Sequence, residues 1–447
     1  MKQRGRHRRR RRGQALRATL AGTALALTAA ATLISTSQAT GGNSPGGLTE
    51  LRAGAAAPQL RLREHLLPRS ALDTLSGTMG GNVGVEGVLD DTDHAMRDTA
   101  GCSDSERSAL PVEPAATRAY CWDRADARTS AWRPRSVTTS GDADVTGQWG
   151  TRRVILAGWT HRGGQAAPAD RGKAFARVAF VDATDPDALR YRWVLLVAPR
   201  AGGKDFTAVR AGLGGMVWYQ DKLIVTAAHG AGLLVFDMHR VLRAGVDSAA
   251  VGRTAGGYSA AGYRYVMPAV GSYEMEGGAC TRAGAVPCFG SLSLDRTTAP
   301  ASLVATEATV GRADRTRVWR YPFSTALYRT GLRADAEGRV DAVEAYTTKG
   351  TGVSGVVSHR PAGAREARWY VGRPSGSGGG HGSLWRQNGR GAQAATCTAD
   401  QSHACWGLGP GALSYWPQTG ELWTLTGTAA RRVLYAVPLS SVDDSVD

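Results

Sequence analysis

Aromatic residues are missing from the first quarter of this chain: no Trp, Tyr or Phe precedes Tyr120, and all 31 follow from there. Large aromatics supply much of the buried area of a core, so residues 40–115 are not expected to form a domain of their own. Other absences narrow the chemistry. There is no CxxC pair of the kind that holds zinc, no HExxH, no GxSxG nucleophile elbow, and Gly212-Leu-Gly-Gly-Met lacks the GxGxxG fingerprint and a following helix. Helical periodicity is nearly absent; Asp237–Arg243 is the one stretch that reads as a turn or two of helix. After residue 39 no run is long and apolar enough to span a membrane. No cofactor, no metal and no nucleic-acid partner is expected.

The head of the chain carries the clearest signal. Met1–Arg17 is basic and includes five consecutive arginines, Arg8–Arg12; Ala18–Ile34 is an uncharged apolar run of 17 residues; Ser37 and Ala39 then stand at the −3 and −1 positions of a small-residue cleavage site. This order is that of a secretory signal peptide. The alternative is a retained anchor, for which the run is short and rich in Ala and Thr. Gly13-Gln14 follows the arginines where a twin-arginine signal needs an apolar pair, which favours general secretion. The head holds nine of the Lys/Arg and no acid, so the formal charge of +16 falls to +16 − 9 = +7 over the 408 residues that follow residue 39. That is too diffuse to argue for nucleic acid, although weak attraction to acidic surface polymers follows from it.

Six cysteines fall into three close pairs, Cys102/Cys121, Cys280/Cys288 and Cys397/Cys405. In an exported chain an even count reads as disulfides, with local pairing the simplest arrangement, each bridge closing one loop. Residues 40–115 read as a flexible leader: a linker at Thr40–Gly47, a Leu-bearing stretch Leu60–Leu75 with helical character broken at Pro68, and a Gly-rich loop at Gly80–Gly87. The leader is expected to become ordered near Cys102.

From about residue 116 a unit of three short strands recurs five times. First strands are read at Ser136–Ser140, Gly214–Tyr219, Gly290–Leu294, Ser354–His359 and Gly411–Trp416, starting 78, 76, 64 and 57 residues apart. Second strands are read at Val154–Thr160, Lys222–Ala228, Ser302–Ala308, Arg368–Arg373 and Glu421–Thr426, and third strands at Ala176–Asp182, Gly232–Met238, Arg317–Phe323, Gly382–Gln387 and Arg432–Pro438. Fourth strands are clearest at Arg192–Ala198 and Val340–Thr347. Small repeated antiparallel sheets that cannot bury both faces alone predict an all-β fold, a β-propeller of five blades over residues 116–447. The last unit ends after its third strand, and Arg118–Trp122 is expected to supply the fourth and close the ring. A β-sandwich pair or an irregular all-β fold is the competing architecture.

The phrases Arg118-Ala-Tyr-Cys-Trp-Asp, Tyr265-Val-Met-Pro-Ala-Val-Gly-Ser-Tyr, Ser291-Leu-Ser-Leu-Asp-Arg and Leu413-Ser-Tyr-Trp-Pro-Gln-Thr-Gly-Glu-Leu-Trp-Thr-Leu-Thr resemble those of uncharacterised secreted proteins of actinobacteria. The resemblance spans about residues 118–440 and implies an extracellular, propeller-like protein, with no activity or catalytic residue attached.

Candidate site residues follow from chemistry. A glycosidase needs two carboxylic groups flanking the scissile bond, and Asp142, Asp144, Asp295 and Glu307 lie on or beside first or second strands; the alternative is a structural carboxylate paired with an arginine such as Arg320. Trp385, Trp406, Trp416 and Trp423 are candidate platforms for sugar rings, or wedges between blades. The acidic run Asp90, Asp91, Asp93, His94, Asp98 offers oxygen ligands but lacks EF-hand spacing and reads as a solvated loop. His161, His229, His359 and His381 sit near strand ends as loop histidines. The expected molecule is a secreted monomeric propeller that binds a polysaccharide or envelope protein; the alternatives are a carbohydrate-active enzyme with channel carboxylates and a structural envelope protein.

Overall fold

The computed structural model describes residues 44–51, 58–161, 175–281, 284–308, 314–326, 329–350, 352–375 and 379–446. The signal-peptide reading of residues 1–39 falls outside them. Strand after strand in this chain is apolar on both faces, as in Val154–His161, where Val154 to Trp159 are all buried. A strand buried on both sides must lie inside a stack of sheets, and the pairing shows how.

Antiparallel ladders group the strands into five units. The first runs Trp132–Thr139, Val154–His161, Ala176–Asp182, Arg190–Arg200. The second is Ala211–Tyr219, Lys222–Ala227, Gly232–Asp237, Tyr265–Met275. The third is Phe289–Asp295, Ser302–Glu307, Arg315–Pro322, Glu344–Lys349. The fourth is Gly355–His359, Arg368–Arg373, His381–Gln387, Ala392–Ala394. The fifth is Ser414–Trp416, Glu421–Leu425, Val433–Pro438, completed by the far upstream strand Arg118–Cys121, with Tyr120 opposite Leu434. The expected closing strand is therefore the one used.

The cores lie between the units, not within them. Val154 and Leu156 of the first unit pack with Met216 and Trp218 of the second, whereas Ile155 and Ala157, on the opposite face, pack with Trp423 and Leu425 of the fifth. Val217 and Ile224 of the second meet Leu303 and Trp319 of the third; Val304 and Val318 of the third meet Val356 and Trp369 of the fourth; Val357 and Tyr370 of the fourth meet Leu422 and Tyr435 of the fifth. Consecutive side chains of one strand thus face two different neighbours, as the period of two dictates. A cyclic series of sheets sharing their faces in this way is a β-propeller. One irregularity joins two units edge to edge: Arg190–Arg200 pairs in parallel with Tyr265–Met275 through residues 194–197 and 265–268.

The innermost strands approach closely around the axis. A Cβ on Gly214 would lie 2.2 Å from the carbonyl oxygen of Gly290, and one on Gly215 would lie 2.0 Å from the backbone nitrogen of Leu292. Only glycine permits that contact between the second and third units.

The flexible leader is a correction. Leu62–Leu66 is a strand paired with Tyr265–Met275, and the helix Arg69–Thr78 begins after Pro68, so Leu60–Leu75 is half strand and half helix. Gly84–Leu89 is helical where a loop was expected, and Val85, Val88 and Leu89 enter the core between the first and second units. Aromatics were not needed, because leucine and valine from this segment fill cores whose bulk is supplied by the propeller. Asp237–Arg243, in turn, is the end of one strand, a turn, and the two-residue strand Leu242–Arg243 rather than helix.

The three local disulfides form as Cys102–Cys121, Cys280–Cys288 and Cys397–Cys405. The first fastens the upstream segment to the closing strand. The other two each span only eight residues, yet they do more than tie off a loop. Cys288 is buried directly before the third unit's inner strand, and its carbonyl accepts from the N–H of Ala308 at 2.7 Å, extending that unit's first ladder. Cys405 is buried beside Trp406, and its carbonyl accepts from the N–H of Val112 at 2.8 Å, a second tie between the upstream segment and the ring. Both cysteines are thus anchored in the packed body. No helix among the described residues is long and apolar enough to cross a membrane.

Candidate functional site

The carboxylates expected near the axis are held by the fold. Asp142 is fully buried in a one-turn helix, Ser140–Ala143, that ends the first unit's inner strand. It accepts hydrogen bonds from Thr138 Oγ1 at 2.6 Å and Ser414 Oγ at 2.8 Å, and loss of solvent pushes its carboxyl up to about 6 against those bonds. Asp295 accepts from Arg320 Nη1 at 3.0 Å, and Arg320 also donates to Ser358 Oγ at 2.9 Å, so this pair clamps the third unit to the fourth. Glu307 is held by Arg317 at 2.6 and 2.9 Å, not by Arg320 as expected. Arg317 also donates to the carbonyls of Gly284 and Ala285. Each of the three is taken up by its own structural partners, in keeping with the reading of a structural carboxylate over that of a carboxylate-lined channel.

The four candidate tryptophans are also corrected: Trp385, Trp406, Trp416 and Trp423 are all buried, at 1–4% exposure, and offer no face to a ligand. They are wedges, Trp406 beside Tyr435 and Trp416 beside Trp423. The acidic run is not a freely solvated loop either. Asp90 pairs with Arg152, Asp91 with Arg264 at 2.9 Å, and Asp93 with Arg192 at 2.6 Å. His94 stacks on Tyr191 and, with Asp123 and Asp126, brings three potential ligand atoms within 4.8 Å of one another. Asp126 already accepts from Arg177 at 2.7 Å, Tyr191 at 2.7 Å and Trp193 at 2.9 Å, so the positive charge beside it is a guanidinium. A second such group, Cys102, Glu106 and Cys121, is closed by the disulfide. His381 Nδ1 lies 2.8 Å from the carbonyl of Trp406, and burial lowers the pKa of His359 beside Tyr415.

Among the concavities of the described residues, two lie at opposite ends of the inner strands. One lies where the inner strands of the first three units begin. It encloses about 400 Å³ and gathers Arg135, Arg210, His161 and His229, with Phe175, Cys288 and Phe289 in its wall. Two of the four sequence-noted histidines thus meet here.

The other lies past the ends of the same inner strands and encloses about 760 Å³. Its walls come from Asn82 to Glu86 of the N-terminal segment, Asp144 to Gly150 in the loop after the first unit's inner strand, and His239 of the second unit. Trp149 stands in this wall, tilted against Trp218 and His239 at 5.1 Å from each. It is the single tryptophan of twelve that is not buried. Asp144, exposed here, accepts from the backbone N–H of Thr146 at 2.8 Å and its hydroxyl at 2.7 Å, which lowers its pKa and keeps it a carboxylate. Glu86 reaches across to Gly150, where an added Cβ would fall 2.7 Å from its Oε1. Sequence reading overlooked Trp149, although its setting, Gly147-Gln-Trp-Gly150 between two strands, is an aromatic on a loop rather than in a strand's alternation.

No protein-family model and no curated protein matches the chain. Solved structures give low-similarity matches. A protein from Parabacteroides distasonis, described as a candidate glycoside hydrolase, matches at 10% identity and a TM-score of 0.29, covering 68% of this chain and 86% of that one. The β-propeller domain of Cps50 (Swd1) from Myceliophteria thermophila matches at 11% identity and 0.26, covering 68% and 82%. An auxiliary nutrient binding protein from Bacteroides thetaiotaomicron matches at 8% and 0.26, covering 60% and 67%. These carry no information on activity.

Proposed function

We propose that this chain is an exported, five-bladed propeller that binds, as a monomer, a polysaccharide of the extracellular space or cell envelope in the Trp149 cleft. The observation that supports this reading is Trp149 itself. Eleven of the twelve tryptophans are buried, and the remaining one stands in a concavity of about 760 Å³ beside amide, carboxylate and imidazole groups. An aromatic surface takes the C–H face of a pyranose while Asn82, Gln148 and Asp144 meet its hydroxyls, the mixture of apolar wall and few polar groups that suits a small-ligand site. Export is supported by the basic–apolar–small order of residues 1–39 and by three disulfides.

The test is calorimetric titration of the protein with cellohexaose, chitohexaose and xylohexaose. At least one is expected to bind, and Trp149→Ala to weaken it roughly ten-fold, the size of one lost aromatic contact. Gln148→Ala, on the exposed loop, provides a variant with less risk to folding. No binding by any neutral oligosaccharide, or equal binding by both variants, rejects the reading.

A second reading rests on one observation: Glu86 and Asp144 line the same cleft, and a glycosidase needs two carboxylic groups about the bond. Reducing-sugar release from these oligosaccharides, lost in Glu86→Gln, selects it; oligosaccharides recovered intact reject it.

A further inference from the structure

From the two carboxylates that flank Trp149, we infer that the saccharide of this cleft is cationic, a polymer of amino sugars with free, protonated amines. The inference rests on the saccharide reading of the cleft and names its substrate class. Glu86 lies in the first turn of the helix Gly84–Leu89 and is exposed. Its Oε1 approaches Gly150, the residue after Trp149, so closely that an added Cβ there would fall 2.7 Å from it. Gly150 also stands at φ +60°, in the left-handed region that favours glycine. The backbone that carries Trp149 is thus bare where the carboxylate comes against it. No hydrogen bond or ion pair engages the Glu86 carboxylate among the described residues. Asp144 begins the loop that ends at Gly150. Thr146 donates twice to its Oδ1, and its Oδ2 takes no hydrogen bond among the described residues.

The neighbouring guanidinium groups are engaged elsewhere. Arg296, whose charge helps to lower the pKa of Asp144, donates to the carbonyls of Gly141 at 3.2 Å and Asp142 at 2.6 Å and lies over the Tyr219 ring. Arg152 pairs with Asp90 and, at 2.6 Å, with Asp182. His239 is the one lining side chain, among the described residues, that can carry positive charge, and it packs against Trp149. An ammonium group is attracted both to the face of an indole and to carboxylates. A hydroxyl or an acetamide in its place makes only neutral hydrogen bonds, which are weaker. An amine on a pyranose adds that charge without altering the ring face that stacks on tryptophan. A polymer of protonated glucosamine therefore satisfies the aromatic wall and both carboxylates together, whereas its acetylated form keeps the ring and loses the charge.

The experiment is calorimetric titration at low ionic strength and about pH 5.5, where aliphatic amines hold their protons. The probes are hexaglucosamine, its neutral acetylated counterpart chitohexaose, and spermine, a cation without a sugar ring. Hexaglucosamine is expected to bind roughly five- to ten-fold more tightly than chitohexaose, and the preference to shrink as salt is raised. Glu86→Gln and Asp144→Asn keep the shape and remove the charge, so in each the ratio of the two affinities is expected to fall toward one. A ratio taken within one variant cancels any general loss of binding. Chitohexaose bound as tightly as hexaglucosamine, or a preference that both variants retain, overturns the inference and leaves the saccharide reading standing. Spermine bound as tightly as hexaglucosamine, with the same dependence on Glu86, also overturns it, because charge alone then suffices. Binding of neither sugar removes the saccharide reading and this inference with it.

Discussion

Asp142→Asn is expected to remove most of one pH-dependent component of stability. Asp142 is fully buried where three units meet. It accepts from Thr138 of the first unit and Ser414 of the fifth, and Thr138 Oγ1 in turn accepts from the backbone N–H of Trp218 in the second at 3.0 Å. Burial raises its carboxyl from 3.8 to about 6. The folded state therefore holds a proton that the unfolded state has released between these two values, and stability falls as pH rises through that window. A shift of about two units at about 1.4 kcal/mol per unit gives a loss of roughly 3 kcal/mol between pH 3.5 and pH 7.5. Carboxylates with lowered pKa, such as Asp182 and Glu106, act in the opposite sense, so the raw pH profile mixes both. The difference between wild type and Asp142→Asn isolates Asp142, because the asparagine does not titrate. Urea unfolding with disulfides intact, at pH 4 and pH 7.5, measures it. The variant is expected to gain relative to wild type by roughly 2–3 kcal/mol on going from the lower to the higher pH. A stability difference that stays constant between the two pH values refutes the argument.

Three further outcomes follow from the packing. Asp126→Ala leaves Arg177 buried between Trp132 and Trp193, at 4.3 and 3.5 Å from their ring centres, without its carboxylate; a loss of about 3–5 kcal/mol is expected in urea unfolding. Gly215→Ala drives a methyl into the backbone of Leu292, and its cost of at least about 1–3 kcal/mol should appear as a lowered Tm, whereas Gly363→Ala, with open space around it, costs only the strain of its φ of +79°. Replacing Cys102 and Cys121 by serine opens a link across 19 residues and is expected to cost about 3 kcal/mol and to expose residues 58–115 to proteolysis before the propeller itself is cut.

Much of the ring was legible from local pattern. Val154–Thr160 and Ala176–Asp182 read as strands because β-branched and apolar side chains run through them, and strand boundaries set by Gly-rich turns are a local property. The use of Arg118–Cys121 to finish the last unit was legible for a different reason: a unit of three strands leaves an edge, and an edge strand needs a partner. The site was not legible in the same way. Asp295 and Glu307 sit in strands whose alternation says only that one face is occupied, not whether an arginine waits on it. Arg320 reaches Asp295 across 25 residues, and Ser414 reaches Asp142 across 272.

By itself the sequence determined an all-β chain of short antiparallel strands, through side-chain period and turn residues, and made local disulfide pairing the simplest arrangement. The tertiary structure alone decided which polar groups are consumed by the fold and which are left to a ligand. It buried Trp385, Trp406, Trp416 and Trp423 and left Trp149 half-buried. It set Cys288 in the wall of the cavity where the first three inner strands begin and Cys405 against the upstream segment, although the spacing of the pairs spoke only of two small loops. It also brought Asn82 and Glu86 of the upstream segment beside Asp144 and His239, a meeting of residues from three parts of the chain. A strand's alternation records that a side chain faces a neighbour, whereas the neighbour's identity is set by ring closure over long sequence separations, and no local pattern encodes that.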